Sequence, residues 1–74
     1  MSPDKLAYMA NQIGKFFAHR PHDAAVADIA EHIKKFWDPR MRTDILAALA
    51  DTAHAKDVPL DPPVREAILS LRQA

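Results

Sequence analysis

Four histidines, a lone tyrosine, two serines and a local cluster of cations are the side chains in this sequence with the chemistry to act on something. His19 and His22 flank Arg20-Pro21 at a spacing that could begin a metal site. Zinc, however, wants three or four converging ligands, and Asp23 is the only carboxylate close by in the chain. His32 falls off the apolar stripe of its segment and His54 lies late in the next, so both read as surface residues rather than acid–base catalysts. Ser2 and Ser70 sit near the chain ends, poor places to hold a nucleophile. There is no cysteine, which removes thiolate chemistry, iron–sulfur ligation and disulfides together. Gly14 is the only glycine, so no glycine-rich phosphate loop exists. No catalytic, cofactor-binding or metal residue is expected in this chain.

What remains is surface chemistry. Lys34, Lys35, Arg40 and Arg42 form a local basic patch, partly offset by Asp38 and Asp44. Such a patch can dock on an acidic partner, with Trp37 or Met41 as an apolar anchor. Trp37 also completes an apolar stripe with Ile33, which favours a core position. Tyr8 lies nearly opposite the apolar stripe of its own segment, and tyrosine is enriched at interfaces. The candidate partner-binding set is therefore Tyr8, Trp37, Arg40, Met41 and Arg42.

These residues are positioned by helices. Ser2-Pro3 reads as a cap and first turn, followed by Leu6, Met9, Ala10, Ile13, Phe16 and Phe17 at steps of three and four. Pro21 ends that segment. His22 or Asp23 begins the second, whose stripe is Val26, Ile29, Ala30, Ile33, Phe36 and Trp37. Asp38 is a cap and Pro39 suits a first helical position, where no N–H is needed. Met41, Ile45, Ala48, Leu49 and Thr52 then share a face in an alanine-rich third helix that fades toward Pro59. Asp61-Pro62-Pro63 opens a fourth, with Val64, Ala67, Ile68 and Leu71 inward. The segment from Leu6 to Phe17 echoes that from Val26 to Trp37, which fits either a short repeat or two amphipathic helices of equal length. No segment alternates with period two. The expected fold is all-α: one domain, 1–74, a small bundle of about four short helices near 3–18, 23–37, 39–55 and 62–72, with no sheet.

A chain of 74 residues has a core that alone rarely supplies more than about 3–5 kcal/mol, and a partner is a common remedy. Ten basic and ten acidic side chains balance, whereas a nucleic-acid binder carries excess positive charge. No apolar run reaches membrane-span length and the first residues hold no signal-peptide core, so a cytoplasmic protein is expected.

The run Ile29-Ala30-Glu31-His32-Ile33-Lys34-Lys35-Phe36-Trp37-Asp38-Pro39-Arg40-Met41-Arg42 resembles the signature of the delta subunit of soluble NAD-dependent formate dehydrogenase. Lys5-Leu6-Ala7-Tyr8-Met9-Ala10-Asn11-Gln12-Ile13 and Leu60-Asp61-Pro62-Pro63-Val64-Arg65-Glu66-Ala67 resemble the same family, so the likeness covers nearly the whole chain. The Phe-Trp-Asp-Pro-Arg-Met-Arg stretch is its most specific part. The resemblance implies a cytoplasmic complex whose alpha subunit holds a molybdenum or tungsten pterin and Fe–S clusters. Its beta and gamma subunits would pass electrons through further clusters and FMN to NAD. It implies a small delta subunit without a cofactor of its own, bound chiefly to the catalytic alpha subunit and stabilising it or its cofactor-loaded assembly. Two other readings stay open: a self-associating helical adaptor unrelated to redox work, and a small DNA-binding protein whose third helix, led by Arg40 and Arg42, enters a groove. Net neutrality weighs against the second.

Overall fold

The computed structural model describes residues 2–51 and 57–73. Its helices are α1 (Pro3–Phe16), α2 (His22–Phe36), α3 (Pro39–Ala50) and α4 (Pro62–Ser70), the last followed by a 3-10 turn at Leu71–Gln73. No strand occurs among the described residues. The all-α bundle of four short helices is the fold the periodicity predicts.

Local chemistry explains where the helices start. The Lys5 N–H donates to Ser2 Oγ at 3.3 Å and Pro3 fills a first-turn position. The Met41 N–H donates to Asp38 Oδ1 at 2.9 Å, with Pro39 behind it. Each cap satisfies a backbone donor that the helix cannot. Helix α2 opens at Pro21 without a side-chain cap. Helix α4 opens at Asp61, whose side chain makes no cap hydrogen bond. Pro62 and Pro63 bring no N–H, so fewer donors there need one.

The helix ends differ from the sequence expectation in two places. Helix α1 stops at Phe16 rather than near residue 18. The Phe17 N–H is shared between Ile13 O and Gly14 O, and a turn with Ala18 N–H to Lys15 O and Arg20 N–H to Phe17 O leads to Pro21. Helix α3 stops at Ala50, and Asp51 is already extended, whereas the alanine run predicts helix to residue 55. Residues 52–56, including Thr52 and His54, lie outside the described residues.

Helices α2 and α4 make the most extensive pairing, and α1 packs on all three others. The core gathers Leu6, Ala7 and Ala10 of α1, Ile29 and Ile33 of α2, Trp37 at the junction, Ile45 and Leu49 of α3, Val58 in the following segment, and Val64, Ala67 and Ile68 of α4. Since α2 pairs chiefly with α4, the likeness between the first two helices is that of two amphipathic segments rather than of stacked repeats.

The buried face of α1 is rotated from the stripe of large residues. Its centre is Leu6, Ala7, Ala10 and Gly14. A Cβ built on Gly14 would overlap Val64 Cγ2, with Ile29 Cδ1 3.9 Å away. The single glycine thus marks a close approach of α1 to α4, where an added Cβ meets a buried valine methyl. Phe16, expected on the buried stripe, is 73% exposed. At about 100° per residue it lies roughly 120° from Ala10, beyond the flank held by Met9 and Ile13. Phe36 shares the angular position of the α2 core residues yet is 72% exposed, because it stands on the last residue of the helix.

Candidate partner-binding surface

The junction between α2 and α3 holds four of the five contact residues the sequence singles out, and the structure divides them. Trp37 is 7% exposed and belongs to the core. Its extended backbone ends α2, and its N–H still donates to Ile33 O at 3.0 Å. Met41 is half-buried and packs against the core. Arg40 is exposed and makes no hydrogen bond or ion pair among the described residues.

Arg42 also has a partner within the chain. A cation at the start of α3 gains nothing from that helix's own dipole. The structure places its guanidinium at the other helix terminus: Arg42 Nη1 donates to Lys34 O at 2.9 Å. Lys34 O is among the last carbonyls of α2, which have no partner within the helix, and positive charge is favoured there. Arg42 is half-buried and joins α3 to the C-terminal end of α2.

Tyr8 is 66% exposed, as its angular position predicts. Farther along α1, aromatic rings meet others from α2. The Phe16 and Phe17 rings meet edge-on with centroids 5.0 Å apart, Phe17 meets His32 at 6.4 Å, and His32 lies 4.7 Å from Phe36. His32, read from sequence as a surface residue, is half-buried between two phenylalanines. Reading by residue size misses this cluster. The arc of small residues Ala7, Ala10 and Gly14 was the signal that would have turned Phe16 outward.

The remaining polar groups hold the fold in place. Asn11 Nδ2 donates to Pro59 O at 2.7 Å while Asn11 Oδ1 accepts from the Asp61 N–H at 3.0 Å. Arg65 Nη2 donates to Val58 O at 2.8 Å. These bonds fasten the segment before α4 to α1 and to α4 itself. Arg20 pairs with Asp28 at 2.5 Å and Lys35 with Glu31 at 2.9 Å. The Lys35 hydrogen bond and charge hold the Glu31 carboxyl below its ordinary range. His22 Nε2 lies 2.6 Å from Glu66 Oε2. Among the described residues no group of three or more histidines and carboxylates could hold a metal ion. No helix among these residues is long and apolar enough to cross a membrane.

The chain is a small all-α domain whose exposed large apolar residues, among the described residues, are Tyr8, Phe16 and Phe36. The sequence model of the NADH-dependent formate dehydrogenase delta subunit, FdsD, matches residues 5–68, and the chain belongs to this family. Comparison with curated proteins and with solved structures found no match.

Proposed function

We propose that this protein is the non-catalytic accessory subunit of a cytoplasmic NAD-dependent formate dehydrogenase complex, and that it binds the catalytic subunit and stabilises it or its cofactor-loaded assembly. The observation that carries the reading is the match to the delta-subunit family over residues 5–68. The residues support it by what they offer. The chain has no cysteine for clusters, and the described residues hold no grouping of metal ligands. A protein that binds only the folded, loaded form of its partner stabilises that form by mass action, with about 2.7 kcal/mol gained at a hundredfold excess over Kd. Metal, pterin, clusters, flavin and NAD then belong to the other subunits, and this chain contributes surface alone.

The test is expression of the complex with and without this chain. The expected result is co-purification with the catalytic subunit, and a lower melting temperature or lower cofactor content of the complex when the chain is absent. A complex of unchanged yield, cofactor content and thermal stability without it would overturn the reading. The isolated chain should oxidise no formate.

A further inference from the structure

We propose that the solvent face of α1, continued onto α2 by Phe36, is the surface by which this subunit docks, and that the receiving surface on the catalytic subunit is an apolar pocket rimmed by carboxylates. The inference rests on the accessory-subunit reading above and names the face it requires.

Three observations carry it. The first is composition. At about 100° per residue, Lys5, Tyr8, Met9, Gln12, Lys15 and Phe16 share the outer side of α1. Tyr8 is 66% and Phe16 73% exposed, Met9 is half-buried, and the other three are exposed. Tyrosine and phenylalanine at this exposure are anchors without a pocket, and the Phe16–Phe17–His32–Phe36 ring contacts extend the apolar surface across to α2.

The second is charge. The chain is neutral as a whole, yet no carboxylate occurs between Asp4 and Asp23. Neither Lys5 nor Lys15 makes an ion pair among the described residues. By contrast, Arg20, His22 and Lys35 have carboxylate partners at Asp28, Glu66 and Glu31. Beyond Asp4, which borders Lys5 and Tyr8 in the first turn, the outer face of α1 is apolar and cationic, and the complement of that stretch is apolar and anionic.

The third is size. Helix α1 has 14 residues, about 21 Å at 1.5 Å per residue. A strip of that length on one side of a helix offers on the order of 200–400 Å², at most half the roughly 800 Å² that each partner contributes to a standard interface. Two copies meeting through this face would fall short of a stable dimer and would set Lys5 and Lys15 against their own kind. A larger subunit can reach past this strip to Phe17, His32 and Phe36 and so bury more of this chain than a second copy of α1 can.

The experiment co-expresses the tagged catalytic subunit with the native chain and four variants. Tyr8→Ala with Phe16→Ala removes the anchors. Lys5→Glu with Lys15→Glu reverses the charge without touching the core. Thr43→Ala on α3 is the control. Helical spectra of each purified chain verify folding. The anchor pair should weaken binding at least about tenfold. The charge pair should weaken it and abolish its salt dependence. Thr43→Ala should bind like the native chain. Failure of the native chain to co-purify overturns the accessory-subunit reading and this inference together. Native binding with both paired variants binding equally well overturns the inference alone. An isolated native chain that is a dimer, split by the anchor pair, assigns the face to self-association and also overturns it. Arg40→Glu, the fourth variant, should bind like the native chain; a larger loss there than in the α1 variants would move docking to the helix junction.

Discussion

Replacing Gly14 with alanine sets two well-defined effects against each other. In an exposed helix interior the change stabilises by about 1 kcal/mol, because glycine loses more backbone freedom on folding. Here the added methyl would overlap Val64 Cγ2, and Val64 is fully buried. Forcing an extra methyl into a packed core costs about 1–3 kcal/mol. The net expectation is a loss of about 1 kcal/mol, which for a domain of this size lowers Tm by roughly 4–8 °C. Val64→Ala alone should cost about 2 kcal/mol through lost burial and the cavity left behind. The double variant is the decisive measurement, since the methyl added at position 14 would then occupy space that the Val64 side chain vacated. Its loss should be smaller than the sum of the single losses by about 1 kcal/mol or more. Urea unfolding followed by helical circular dichroism at fixed m-value gives all three numbers. Additivity within about 0.5 kcal/mol, or a Gly14→Ala chain stabilised by the full propensity gain, would refute the close approach of α1 and α4 as the reason for glycine.

Arg42→Ala should lower stability by about 1–2 kcal/mol by stripping the Lys34 carbonyl of its donor, while Arg40→Ala should stay within about 0.5 kcal/mol in the same unfolding assay. Asn11→Ala should cost about 1–2 kcal/mol through two lost hydrogen bonds, and should raise hydrogen exchange at the Asp61 amide more than at core amides. Glu31 should titrate below the ordinary 4.5 by side-chain NMR. Its lowered value means the Lys35 pair contributes above the unfolded value and loses that contribution as pH falls through the folded one; Lys35→Ala should return the midpoint upward.

The parts of the fold written in neighbouring residues were legible in the sequence. Ser2-Pro3 and Asp38-Pro39 announce helix starts because a cap and its donor lie within three residues of each other. Trp37 reads as core because it extends a stripe that Ile29 and Ile33 define. What the sequence hid depends on partners distant in the chain. Hydrophobic periodicity ranks residues by size, so it drew the α1 face through Phe16, whereas contact with α4 selects the small Ala7, Ala10 and Gly14. Arg42 could not be assigned to the α2 terminus without knowing how the chain folds back at Trp37. Phe36 has the right angle and the wrong height, and a helical wheel carries no information about height. Among the surface residues, Tyr8 was legible because exposure opposite a core stripe needs only the period.

The Asn11 amide grips backbone groups of residues 59 and 61, and α4 finds its main neighbour in α2, so the contacts that close this fold join segments far apart along the chain. During synthesis α2 emerges with its inner face largely bare and must wait for α4, its main neighbour. The first three helices should therefore remain loosely ordered on the ribosome, with Val64, Ala67 and Ile68 completing the structure in one late step. A chain halted before residue 59 would not be a shortened version of the protein but an open one, with Leu6, Ile29 and Ile33 offered to chaperones and proteases.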